Sequence, residues 1–170
     1  MTGSPAVALM AEATSAGVHG PRSRGWTLRS SGATIAVLAG GLDQPYPAGH
    51  ADLFGRIADG GFLVSEWPPG TRPTRRRFQA RSRVLAALGA ATVVVEAGEH
   101  SGALTIARQA GDLGRPLMAV PGPVTSAQSA GCHTLIRDQD AVLVTSACDI
   151  IAAASATLTQ RPDIINGRVI

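Results

Sequence analysis

Residues 92–107 read TVVVEAGEHSGALTIA. Thr92–Val95 is a short, unbroken apolar run rich in branched residues, with no alternation of polar and apolar positions. That is how a strand covered on both faces reads. A glycine-containing loop, Glu96–His100, follows it. Ser101 and Gly102 then open Ser101–Leu113, where Leu104, Ala107 and Ala110 recur at helical spacing. Strand, loop and helix in this order form half of a βαβ unit.

The same order recurs along the chain. Thr34–Leu38, Phe62–Ser65, Leu117–Val120 and Val142–Val144 are further short apolar runs. Helical stretches lie between them. Ala51–Asp59 puts Leu53, Ile57 and Ala58 on one side, Ser82–Leu88 follows an arginine-rich segment, a short apolar helix follows AGCH, and Asp149–Ala156 reads as the last helix. Strands alternating with helices predict an α/β fold with a mostly parallel sheet. Gly and Pro stand where strands end: AGG after the first, WPPG after the second, PGP after the fourth. Ligands of such sheets bind outside the carboxyl ends of the strands, so these loops are expected to share a rim. Residues 34–156 are read as one domain, 1–33 as an irregular arm or loop, and 157–170 as a tail.

Composition narrows the class. The chain has 170 residues, 45% hydrophobic and only 16% charged, so it can bury a core and is not a disordered sequence. The longest apolar runs are far shorter than the roughly 20 residues a membrane helix needs, and the N-terminus lacks the basic start of a signal peptide. No membrane partner is expected. Cys132 and Cys148 form no CxxC pair and nothing else has metal-ligand spacing. They read as small buried hydrophobes of a reduced, cytoplasmic protein. No metal or cofactor is expected, and with no GxSxG and no paired carboxylates the chain does not read as an enzyme.

Charge is clustered. Net charge is +3, and all fifteen Lys+Arg residues are arginine. Six of them, Arg72, Arg75, Arg76, Arg77, Arg81 and Arg83, fall in TRPTRRRFQARSR (71–83), with no acidic residue among them. A helix beginning near Phe78 places Arg77 and Arg81 on one face. Guanidinium forks grip phosphate oxygens, and Phe78 among them offers a stacking surface.

Three other segments face the expected rim. In GGLDQPYP, Gly40 and Gly41 permit a tight turn, and Asp43 can take a hydroxyl, cap the next helix or brace the turn. Ser101 and Gly102 open a helix whose N-terminus attracts anions, and Ser101 can cap it or touch a phosphate. Glu66 and Glu96 end strands and can orient an arginine or a ribose as readily as do acid–base work. His133 reads as a surface or capping histidine.

Taken in order, GGLDxxYP, LVSExPPGxxPxxxxFxxRxR, VVVEAxxxSGAL, AVPGPVxSxxSxGC and LIRD resemble the DNA-processing protein A family, called DprA or Smf, over about Thr34–Ile151. The resemblance implies a Rossmann-like domain that binds single-stranded DNA and acts in natural transformation and competence by loading the RecA recombinase. It also implies a homodimer and no enzymatic activity. It places Phe78, Arg81 and Arg83 in the basic pocket, with Ser101 and Gly102 at its border; helical spacing adds Arg77 beside Arg81. Gly41, Asp43, Glu96 and Thr105 are further candidates for its lining.

The sequence departs from the family pattern in places. The G-[ST]-R turn and the SGxAxGID segment are not found before Thr34, so the first strands are expected to be missing. FPxRNR is here FQARSR, and SGxLITA is here SGALTIA, which moves Thr105 about 100° around the helix from the usual hydroxyl. The first strand is then expected to show unpaired edges and an apolar face. Two other readings stand beside single-strand binding: a Rossmann-like enzyme that binds nucleotides or cleaves nucleoside monophosphates, and a remnant without function.

Overall fold

The computed structural model describes residues 34–159, and side chains through residue 156. The assignments of 1–33 to an arm and of 160–170 to a tail lie outside them. The chain divides into two compact units, whose described parts are residues 34–85 and 86–159.

In the first unit β1 (Ile35–Leu38) leads through a single 3-10 turn (Ala48–His50) into α1 (Ala51–Gly60), and α1 into β2 (Phe62–Ser65). The strands run parallel and in register, from Ile35 beside Phe62 to Leu38 beside Ser65. This is the βαβ order expected. Val37, Leu38 and Ala39 are buried, as is Ile57 of α1. Leu53 is half-buried and Ala58 exposed, so the apolar side of α1 is narrower than its spacing suggested. Burial on both faces does not hold for this strand pair. Alternate residues share a face, and on the face of Ile35, Val37, Phe62 and Val64 all but Val37 are exposed, Phe62 by 64%. An unbroken apolar run does not reveal how many neighbours its strand has; among the described residues this sheet has two strands.

α2 (Arg75–Leu88) closes this unit, its last three residues counting with the second. It begins three residues before Phe78 and seven before Ser82. The Thr74 side chain accepts from the Arg77 N–H at 3.3 Å, and the Thr74 carbonyl accepts the Phe78 N–H at 3.0 Å, so Thr74 starts the helix.

The second unit holds β3 (Thr92–Val94), α3 (Gly102–Asp112), β4 (Leu117–Ala119), α4 (Ala130–Asp138), β5 (Val142–Leu143) and α5 (Ala147–Thr159). Its strands are all parallel, in the order β3-β4-β5. β3 and β4 are buried throughout, and alternate residues enter two cores. Val94, Leu117 and Ala119 pack with Ala103 and Ala107 of α3 and Cys132 and Leu135 of α4. Val93 and Met118 pack with Val144 and Ala154. A sheet covered on both faces is therefore correct for β3 and β4. It fails for β5, an edge strand whose two residues are about half exposed. α5 starts two residues before Asp149 and runs three beyond residue 156, into what was read as tail.

Candidate nucleic-acid interface

Parallel strands put their carboxyl ends on one edge. In the first unit the loops that leave β1 and β2 are bonded to each other there. The Gly41 N–H donates to the Thr71 carbonyl at 2.9 Å, and Ser65 Oγ donates to the Gly40 carbonyl at 2.6 Å. Both carboxylate oxygens of Asp43 lie 2.9 Å from the Gly70 nitrogen and accept its N–H. Of the roles open to Asp43, the structure shows a brace, and it runs to the neighbouring loop. Gly41 is required by space: a Cβ there would collide with the Asp43 carboxylate and come within 2.8 Å of the Pro68 carbonyl.

The first turn of α2 carries Arg75, Arg76 and Arg77 and no acid. A helix N-terminus already bears partial positive charge, so three guanidinium groups there oppose the dipole and together attract an anion. Arg75 and Arg76 are exposed. Arg77 is half-buried, its Nη1 donating to the Arg72 carbonyl at 2.6 Å.

One turn on, Arg81 Nη1 donates to the Val37 carbonyl of β1 at 3.2 Å, and the guanidinium lies 5.0 Å from the Phe78 ring centre. Tyr46, from the loop after β1, meets the same ring edge-on, with centroids 5.9 Å apart and planes at 67°. Phe78 thus sits between a cation and a second aromatic ring. Ser82 is buried, its hydroxyl donating to the Phe78 carbonyl at 3.3 Å within the helix.

Arg83 differs from its neighbours. Its Nη2 meets Glu66 Oε1 at 2.5 Å, with 65% of the arginine side chain and 35% of the glutamate side chain exposed. The cluster therefore does have an acidic partner, contrary to the reading of the window alone. The partner lies 17 positions away, just past β2. Orienting an arginine, one of the three roles open to Glu66, is what the structure shows.

In the second unit Ser101 is the N-cap of α3, its hydroxyl accepting the Ala103 N–H at 3.3 Å, and Gly102 is the first helical residue. Thr105 is exposed on α3, and Glu96 is exposed in the loop after β3. His133 is half-buried, its Nε2 donating to the Gly122 carbonyl at 2.9 Å. It ties α4 to the loop after β4. Asp149 closes the N-terminus of α5: its Oδ2 accepts the N–H groups of Thr145 and Ser146 at 2.9 Å each and the Thr145 hydroxyl at 3.0 Å. These bonds hold its carboxyl below the usual range. Burial pushes the Cys132 thiol up.

The candidate residues thus fall in two groups. Gly41, Asp43, Arg77, Phe78, Arg81 and Arg83 belong to the first unit. Glu96, Ser101, Gly102 and Thr105 belong to the second. Thr74 and the contact of Tyr46 with Phe78 were not foreseen, and neither was which arginine Glu66 would orient. A Thr directly before a helical run was a legible cap signal; the long-range pairs left none. Among the described residues no three or more His, Cys, Asp or Glu are grouped to hold a metal ion, and no helix is long and apolar enough to cross a membrane.

Residues 22–155 match the family model described as DNA recombination-mediator protein A. A Mycobacterium tuberculosis protein designated DprA is 57% identical over 135 residues, which are 79% of this chain and 34% of that protein. The DNA processing protein DprA of Streptococcus pneumoniae is 39% identical over 125 residues, 74% of this chain and 44% of that protein. Its X-ray structure superimposes with a TM-score of 0.70 at 38% identity, covering 76% of this chain and 45% of that one, which shows the Rossmann-like fold of DprA. A second solved structure concerns the single-stranded DNA binding mode of DNA processing protein A from Helicobacter pylori. It matches with a TM-score of 0.66 at 26% identity, over 75% of this chain and 57% of that one. The chain spans about a third to under a half of the length of these two curated relatives.

Proposed function

The chain belongs to the DNA recombination-mediator protein A family, and on that premise we propose that it binds single-stranded DNA without strong sequence preference. The observation that carries this reading is the start of α2: three arginines on a helix N-terminus with no acid in the turn, one helical turn from a ring flanked by Arg81. Stability does not call for that arrangement, because it sets like charges against the dipole. A phosphate chain does. Arg77, Arg81 and Arg83 are assigned to phosphates, with Gly41 and Asp43 shaping the loops beside them. Among the described residues, the guanidiniums of Arg77 and Arg83 each donate to one protein oxygen and have five N–H donors in all, so donors remain for phosphate. Phe78 is assigned to a base. In the second unit Ser101 and Gly102 are assigned a phosphate contact at the α3 N-terminus, with Glu96 and Thr105 as its lining.

The role is binding and not catalysis. It is exercised in the cytoplasm by a homodimer that hands single strands to a RecA-type recombinase during transformation. The solved relative whose structure concerns single-stranded DNA binding supports the ligand.

The test is fluorescence anisotropy of a labelled oligo-dT strand with the full chain, duplex DNA competing. Binding should weaken as salt rises, with a slope of about −0.7 per neutralised phosphate. Arg81→Ala with Arg83→Ala should weaken it at least tenfold. Unchanged affinity in that double variant would remove the assigned site. No binding at low salt would remove the function.

A further inference from the structure

Two arginines of the cluster, Arg77 and Arg83, are each anchored on a protein oxygen, and the anchors are not equivalent. Arg77 rests on the Arg72 carbonyl. A carbonyl orients a guanidinium and leaves its charge intact. Arg83 rests on the carboxylate of Glu66, which cancels that charge. The pair is also the more open to solvent, with two thirds of the Arg83 side chain exposed. It is therefore the anchor that an incoming anion can reach and compete for.

We infer that Glu66 is a self-inhibiting counterion of the strand-binding site: it holds Arg83 until phosphates displace it, and so weakens binding to anything that does not also engage the carbonyl-anchored Arg77. The inference rests on the single-strand reading above. When a phosphate takes Arg83, Glu66 is left without its partner and recruits a cation from solution. The counterion released by the DNA is then offset by one taken up, and Arg83 adds little to the salt dependence. Without the carboxylate, Arg83 is a full cation before and after binding, and its phosphate contact counts in full. A short ligand that reaches only Arg83 gains least from the wild-type site. A strand long enough to reach Arg77 gains most.

The experiment compares the wild-type chain with Glu66→Gln, Arg83→Ala, the double variant, and Asp59→Asn, which makes the same charge change on α1. Anisotropy with labelled oligo-dT is read across a salt series. Glu66→Gln should tighten binding about three- to tenfold at low salt and steepen the salt slope by about 0.7, one single-strand phosphate. Asp59→Asn should change affinity less than twofold. In the Arg83→Ala background, Glu66→Gln should have no effect, the signature of a direct pair. Equal gains from Glu66→Gln and Asp59→Asn, or a gain that survives Arg83→Ala, would overturn the inference and reduce Glu66 to background charge. Weaker binding by Glu66→Gln would overturn it in the other direction, making Glu66 a positioning residue that DNA needs in place. These outcomes all require that wild type binds. If it does not, the single-strand reading itself has failed.

Discussion

Asp43 and Gly70 are 27 residues apart in the chain, and both carboxylate oxygens of Asp43 lie 2.9 Å from the Gly70 nitrogen. This contact joins the loop after β1 to the loop after β2, and the second of these delivers the chain to the arginine helix. Asp43→Ala should lower stability by about 1 kcal/mol, below the roughly 1.5–3 kcal/mol of a buried hydrogen bond to a charged group because the pair is exposed. Asp43→Asn keeps an acceptor oxygen and should lose less. Urea denaturation of the three chains checks the order.

Two glycines in these loops are required for different reasons, and alanine at each separates them. Gly70 has φ +82 and open space where a Cβ would sit. Gly70→Ala should therefore cost only the left-handed backbone penalty, about 1–2 kcal/mol. At Gly41 a Cβ meets the Pro68 carbonyl at 2.8 Å and the Pro69 Cα at 3.0 Å, so both loops must move. Gly41→Ala should be the more damaging in denaturant melts and should also weaken strand binding; Gly70→Ala should leave binding within about twofold, which is under half a kcal/mol.

The cap on α5 makes a pH prediction. The N–H groups and hydroxyl around Asp149 depress its folded-state value below the ordinary 3.8. A depressed carboxylate contributes stability that is present above its unfolded value and is lost as pH falls through the folded one. The melting temperature of wild type should exceed that of Asp149→Asn at neutral pH, and the gap should narrow only below about pH 4. A gap that stays constant down to pH 3 would mean that the carboxylate charge plays no part in the cap.

The two cysteines should react at very different rates. Cys148 is exposed, whereas Cys132 is fully buried in the α3–α4 core with its thiol value raised by burial. The thiolate is the reactive form. With a thiol reagent at pH 8, one group should react at once and the second only on unfolding. Cys148→Ser should abolish the fast phase alone.

Much of the fold could be read from local pattern. All five strands were located to within a residue at each end, and Ser101 was found as a helix opening, because strand runs and caps are short-range signals. The start of α2 was placed too late. Arg75–Arg77 look unsuited to a helix N-terminus, and the Thr74 cap outweighed them. The arginine cluster was visible as composition, but its wiring was not.

The sequence by itself determined the alternation of strands and helices, the parallel sheet and the density of arginine, since each is written in neighbouring residues. Only the tertiary structure decided which distant groups the arginines meet. Arg81 reaches Val37 across 44 positions and Arg83 reaches Glu66 across 17. Both contacts exist because β1 and β2 run parallel, which carries residues remote in sequence to one edge of the sheet. No window of the chain contains that distance.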